Sequence, residues 1–205
     1  MTGIIDYGCG NLFSLKSSLR RLGENVRLIV RKEDFAACDR MILPGVGAFG
    51  NAARILKQCG MDDAIIEWSR KGMPLLGICL GMQLLFDKSY EFGEYNGLSL
   101  LHGEVAPLSA EAAVVAANLK IPHIGWNSLR FPSKSKLFRN VGEEEYVYFV
   151  HSYHAKHCNE NLLATVTYGE EICAAAGKGN VFGTQFHPEK SGDTGMRILE
   201  AFLEI

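Results

Sequence analysis

Apolar residues in the first half of the chain follow two alternating rhythms. Short apolar runs at residues 3–7, 26–30, 40–43 and 74–78 predict strands. Between them, Leu12, Leu15, Leu19 and Leu22 recur at helical spacing, and residues 51–59, 62–70 and 80–86 also predict helices. The helices at 51 and 62 each open on a residue able to cap free backbone N–H groups, Asn51 and Asp62. The third strand stops at Pro44-Gly45-Val46-Gly47, a glycine-rich turn. Repeated strand-helix units build a mostly parallel sheet covered on both faces, with chemistry at the strand C-terminal ends.

The rhythm changes in the second half. Strands are predicted at 98–101, 146–151, 163–168, 172–176 and 181–186, spaced closely enough to pair partly antiparallel as a second, mixed layer. Residues 193–203 predict a closing helix with Asp193 as its cap and Met196, Leu199, Phe202 and Leu203 as its apolar face. The alanine-rich stretch 109–120 carries no clear period. No repeat or linker interrupts the chain, so the expectation is one α/β domain over residues 1–205.

With 47% hydrophobic and 21% charged residues, the composition argues against disorder. A net charge of -2 and the absence of a Lys/Arg run give no basis for nucleic-acid binding. No apolar stretch reaches membrane-spanning length, and Met1 leads into a strand without a basic region or cleavage site, so a cytoplasmic protein is expected. Six scattered cysteines without a CxxC pair fit that reducing compartment, and most read as small buried hydrophobes.

Cys79 reads differently. Gly77-Ile78-Cys79-Leu80-Gly81 joins a predicted strand to a predicted helix, and two glycines around a cysteine give the close backbone approach a nucleophile elbow needs. A helix N-terminus favours thiolate over thiol, and the Leu80 N–H is placed to receive an oxyanion. Farther on, Gln185-Phe186-His187-Pro188-Glu189 ends a strand on a base and sets a carboxylate two residues beyond it. His187 can exchange the proton while Glu189 fixes its tautomer, completing a Cys79-His187-Glu189 triad. His151, His154, His157 and Cys158 are metal-ligand types, but their spacing matches no structural zinc pattern, so no metal is expected.

GICLGMQ and TQFHPEKSG, together with IIDYGCGN, LPGVGAFG, PHIGWN and YFVHSYH, resemble the glutaminase subunit family of imidazole glycerol phosphate synthase. The elbow and the His-Pro-Glu segment alone are similar to any class I (triad) glutamine amidotransferase. The resemblance implies a flavodoxin-like fold, hydrolysis of L-glutamine through a glutamyl thioester, no cofactor, and a heterodimer with a (β/α)8-barrel cyclase that consumes the ammonia. It implies oxyanion donors in Gly45-Val46-Gly47, glutamine contacts from Gln83, Glu91, Ser152 and Tyr153, and a partner or ammonia-exit face at Asn11, His123, Trp126, Tyr148 and Lys190. A paralogue feeding another synthase, such as one amidinating surface sugars, would share the same chemistry at Cys79.

Overall fold

A computed structural model describes all 205 residues. Its first half runs β1 (Thr2–Ile5), α1 (Leu12–Arg21), β2 (Val26–Ile29), β3 (Arg40–Gly45), α2 (Phe49–Gln58), α3 (Met61–Arg70), β4 (Leu75–Cys79) and α4 (Leu80–Leu84). Short strands β5 (Lys88–Ser89), β6 (Tyr95–Asn96) and β7 (Glu104–Pro107) precede α5 (Ala112–Ala116). There follow β8 (His123–Ser128), β9 (Tyr146–His151), β10 (Tyr153–Lys156), β11 (Leu162–Tyr168), β12 (Glu170–Lys178), β13 (Val181–Thr184) and α6 (Gly192–Leu203).

The main sheet has seven strands in the order β11-β12-β13-β4-β3-β1-β2. From β13 to β2 every pairing is parallel, the doubly wound order that puts loops at one edge of the strand C-terminal ends. β11 and β12 extend it antiparallel. Burial on both faces explains the uninterrupted apolar runs. Ile5, Met41, Leu43 and Leu75 join the core beneath α2 and α3, while Ile4, Ile42, Leu76 and Ile78 join the one with residues of α1 and α6.

β3 continues two residues past its predicted end. Its pairing with β1 stops at Ile4↔Ile42, whereas pairing with β4 persists to Gly45↔Cys79. Pro44 therefore stands where one side of the strand has become an edge, the place a residue without an N–H is tolerated.

A four-stranded sheet, β10-β7-β5-β6, and a two-stranded ribbon, β8-β9, form the second layer. Here the sequence expectation needs correction. Residues 98–101 are not a strand: the N–H groups of Leu98, Leu100 and Leu101 donate to the carbonyls of Leu84 and Leu85, occupying the orphan acceptors at the end of α4. The last strand ends at Thr184, and the 109–120 stretch contains the single-turn helix α5. Asn51 and Asp62 lie inside their helices, whose caps are Ala48 and Gly60. Asp193 likewise lies inside α6, whose N-cap position is held by Ser191 with its hydroxyl donating back to the His187 carbonyl. In place of a local cap, the Glu91 carboxylate accepts the Phe49 N–H of α2 from 42 residues away.

Candidate active site

Strand β4 must turn into α4 within one residue, and that geometry is written in Cys79. Its φ of 55° and ψ of -111° leave the regions open to most side chains, a strained conformation of the kind that concentrates at functional sites. The flanking glycines make the turn possible. A Cβ on Gly81 would stand 1.8 Å from the Leu43 carbonyl oxygen, and one on Gly77 would stand 2.6 Å from that of Gly81. Neither position admits another residue without moving backbone.

Register brings the Gly45-Val46-Gly47 turn to the same point. Gly45 pairs with Cys79, and a Cβ on Gly45 would meet the Tyr7 hydroxyl at 2.7 Å and the Leu80 Cβ at 2.9 Å. Val46 and Gly47 follow as exposed residues, Gly47 at φ +100°, and their N–H groups donate to no backbone carbonyl.

His187 lies just past β13, one strand away from β4, and is 3% exposed. Its backbone N–H donates to Tyr148 O at 3.0 Å, and its Nδ1 lies 2.8 Å from Glu189 Oε1. Burial pulls the imidazolium down, but Cys79 and Glu189 together outweigh it and raise the pKa to about 9. The structure thus brings Cys79, His187 and Glu189 together, with Glu189 behind the imidazole and Cys79 lining the same cavity as His187.

That cavity, about 410 Å³, is lined by Cys79, His187, Val46 and Gly47 and also by Gln83, Glu91, Ser152, Tyr153, Leu80 and Lys190. Larger depressions elsewhere, beside Trp68 and beside Phe138, contain neither a histidine nor an elbow cysteine. Gln83 is 5% exposed, and its amide nitrogen donates to Tyr153 O and Gln185 Oε1, both at 3.0 Å. Glu91 is 9% exposed, and burial raises its pKa against the opposing Phe49 N–H. Phe92, at the cavity mouth, packs edge-on against Tyr153 at 6.3 Å.

The predicted partner face divides. Asn11 and Lys190 are exposed, Trp126 is 54% exposed, and Tyr148 packs edge-on against Trp126 at 6.0 Å across the β8-β9 ribbon. His123 is a correction: it is buried, stacked on Phe149 and on Tyr168, with Nδ1 3.0 Å from His151 Nε2. Its strand position points inward, because residues two apart share a face and Trp126 occupies the other. His154 and His157 are engaged by Glu111 and Glu104, each at 3.1 Å.

One residue escaped the sequence reading. Gln185 is fully buried, accepts the Gln83 amide and directs its own Nε2 to within 3.7 Å of Cys79 Sγ. The signal was its position between a core strand and the predicted base, where a buried amide needs a polar reason.

Residues 3–205 match the family model described as glutamine amidotransferase class-I. Among curated relatives, imidazole glycerol phosphate synthase subunit HisH of Wolinella succinogenes is 46% identical over 206 residues, covering 100% of both chains. The protein of that name from Bacillus subtilis is 47% identical, covering 100% of this chain and 96% of its own. A solved glutamine amidotransferase superposes with TM-score 0.76 at 21% identity, covering 99% of this chain and 97% of its own. PurLQS from Thermotoga maritima superposes equally well, TM-score 0.76 at 18% identity with 99% and 97% coverage, a likeness of fold alone. With the matched model spanning nearly its whole length and relatives this similar end to end, the chain belongs to the class-I glutamine amidotransferases, in the group of imidazole glycerol phosphate synthase subunits HisH.

Proposed function

We propose that the chain, working as one domain over residues 1–205, is the glutaminase of an imidazole glycerol phosphate synthase, with Cys79, His187 and Glu189 as its triad. The observation that carries this reading is the joining of a strained cysteine elbow to a buried histidine-carboxylate pair around one cavity. His187 holds the proton taken from Cys79, and the sulfur attacks the side-chain carbonyl of L-glutamine as a thiolate. The N–H of Leu80 and a donor from Gly45-Val46-Gly47 hold the oxyanion. His187 then protonates the leaving nitrogen, ammonia departs, and a thioester remains. Water, deprotonated by the same imidazole, attacks that thioester; the C–S bond breaks, glutamate is released and the thiol is restored. No cofactor takes part in these steps.

Gln83, Glu91, Ser152 and Tyr153 line the cavity with groups suited to a small zwitterion, and Glu91 offers a carboxylate to the ammonium of glutamine. Asn11, Trp126, Tyr148 and Lys190 form the outer face on which a (β/α)8-barrel cyclase docks to receive ammonia for L-histidine biosynthesis, with buried His123 beneath it. No helix is long and apolar enough to cross a membrane, and the proposed location is the cytoplasm.

Glutamate release by the purified chain, alone and with the barrel cyclase and its phosphoribulosyl substrate, tests the reading. Stimulated activity that is lost in Cys79→Ala by at least about a thousandfold is expected. Activity unchanged by the cyclase would move the ammonia to another acceptor.

A further inference from the structure

Two amides lie between the nucleophile and the glutamine-contact residues, and their bonds run in one direction. Gln83 Nε2 donates to both Tyr153 O and Gln185 Oε1. Since Gln185 Oε1 takes that N–H, its Nε2 is the end that faces Cys79 Sγ at 3.7 Å. A flipped Gln185 would set its nitrogen against the Gln83 nitrogen and its oxygen against the sulfur, leaving donors opposed in a fully buried place.

The same orientation is enforced from a second side. Tyr153 O also accepts from His151, whose Nδ1 lies 2.9 Å away, so His151 carries its proton on Nδ1 and presents Nε2 as an acceptor. That acceptor is filled by His123 Nδ1 at 3.0 Å, and Asn127 Nδ2 lies 3.4 Å from the remaining His123 nitrogen while also donating to Thr167 O. Burial holds both rings neutral, with His123 lowered to about 4 and His151 to about 3. Every member of the network therefore has a fixed donor and a fixed acceptor, without a mobile charge.

We propose that Gln185 is a further catalytic residue, donating a side-chain N–H to the Cys79 sulfur and stabilising it as an anion before attack and again as it leaves the thioester. Acylation removes the negative charge from sulfur, so this bond is strongest in the states flanking the thioester and weakest within it. Within the triad only the His187 imidazole addresses the sulfur, and it gives up that proton to the leaving nitrogen, whereas the Gln185 N–H stays in place throughout. The inference rests on Cys79 being the nucleophile.

The test compares Gln185→Glu, which keeps an acceptor for Gln83 but removes the N–H, with Gln185→Met, which keeps length and removes both polar atoms. Iodoacetamide modification of Cys79, followed by peptide mass mapping at neutral pH, should slow at least tenfold in each, with the rate profile displaced to higher pH. In a Cys79→Ala background the Gln185→Glu change should leave glutamine affinity, read by calorimetry, within about twofold. In the unsubstituted chain, the Gln185 side-chain amide resonance should shift with Cys79 titration, a readout that needs no variant to fold. Unchanged alkylation in a folded variant, a loss of glutamine affinity in the Cys79→Ala background, or an amide resonance indifferent to Cys79 would overturn the role. Glutaminase activity surviving in Cys79→Ala would sink the nucleophile assignment itself, whatever Gln185 does.

Discussion

The chain contains two buried pairs of histidine and glutamate, and their imidazoles are shifted in opposite directions. His187 and Glu189 are 2.8 Å apart; His154 and Glu111 are 3.1 Å apart. In both, the histidine is 3% exposed. Yet His187 is raised to about 9, while His154 is lowered. The largest difference is the Cys79 sulfur, which faces the His187 ring and has no counterpart beside His154. Glu111 also meets Lys156 Nζ at 2.8 Å, so its charge is shared with a cation that repels an imidazolium. Burial then prevails at His154. Glu189 has no such competitor, and the Cys79 sulfur adds its own pull from the opposite side of the ring. A short contact to a carboxylate is therefore not enough to make a histidine basic; here the second anion beside the ring, together with the lack of a cation on the carboxylate, outweighs burial.

Breaking the first pair should have the largest effect. Glu189→Gln keeps the shape but removes the charge, so kcat for glutamine hydrolysis should fall by about 10²- to 10⁴-fold, and the His187 titration seen by NMR should drop from about 9. The equivalent change in the second pair separates structure from chemistry. Glu111→Gln should leave glutamine turnover within about twofold while costing about 1–3 kcal/mol in denaturant unfolding, because a buried partner of Lys156 and His154 is lost. A large fall in turnover there would show that the two pairs communicate.

Lys156→Met sharpens the contrast by removing the competitor. His154 should then titrate at higher pH than in the unsubstituted protein, moving in the direction of His187. If it stays where it was, burial alone explains its lowered value.

Smaller still is the pH dependence of stability carried by the histidines. His187 is raised above its ordinary 6.5, so the folded state binds the extra proton, and its contribution is full below 6.5 and lost as pH rises through about 9. His123 and His151 are lowered to about 4 and about 3, so their contribution is present above 6.5 and lost as pH falls toward those values. The histidine part of stability should thus peak near 6.5. Replacing His187 with Gln should flatten the alkaline side of a urea-unfolding series and leave the acid side intact.

The parallel half of the fold was legible because its strands are buried on both faces and read as unbroken apolar runs. The elbow and His187-Pro188-Glu189 were legible because each is local, within a few residues of sequence. What could not be read depends on partners far along the chain. Glu91 supplies the acceptor at the start of α2 from 42 residues away, which no inspection of Asn51 would reveal. β5 and β6 are two residues long, too short for any alternation to register. The apolar residues 98–101 look like a strand because they are buried, but they are used to close α4. Gln185 was passed over beside a stronger motif, although a glutamine at the end of a core strand is the more unusual residue.

The β8-β9 ribbon has a mechanical consequence. Its outer side displays Trp126 and Tyr148, while its backbone reaches the candidate site: Tyr148 O receives the His187 N–H, Tyr148 N donates to Ser191 at the start of the last helix, and Val150 O lies 4.0 Å from Cys79 Sγ. The parallel sheet thus carries the cysteine while the ribbon backbone ties down the histidine, so the placement of one relative to the other is set by how the ribbon seats on the sheet.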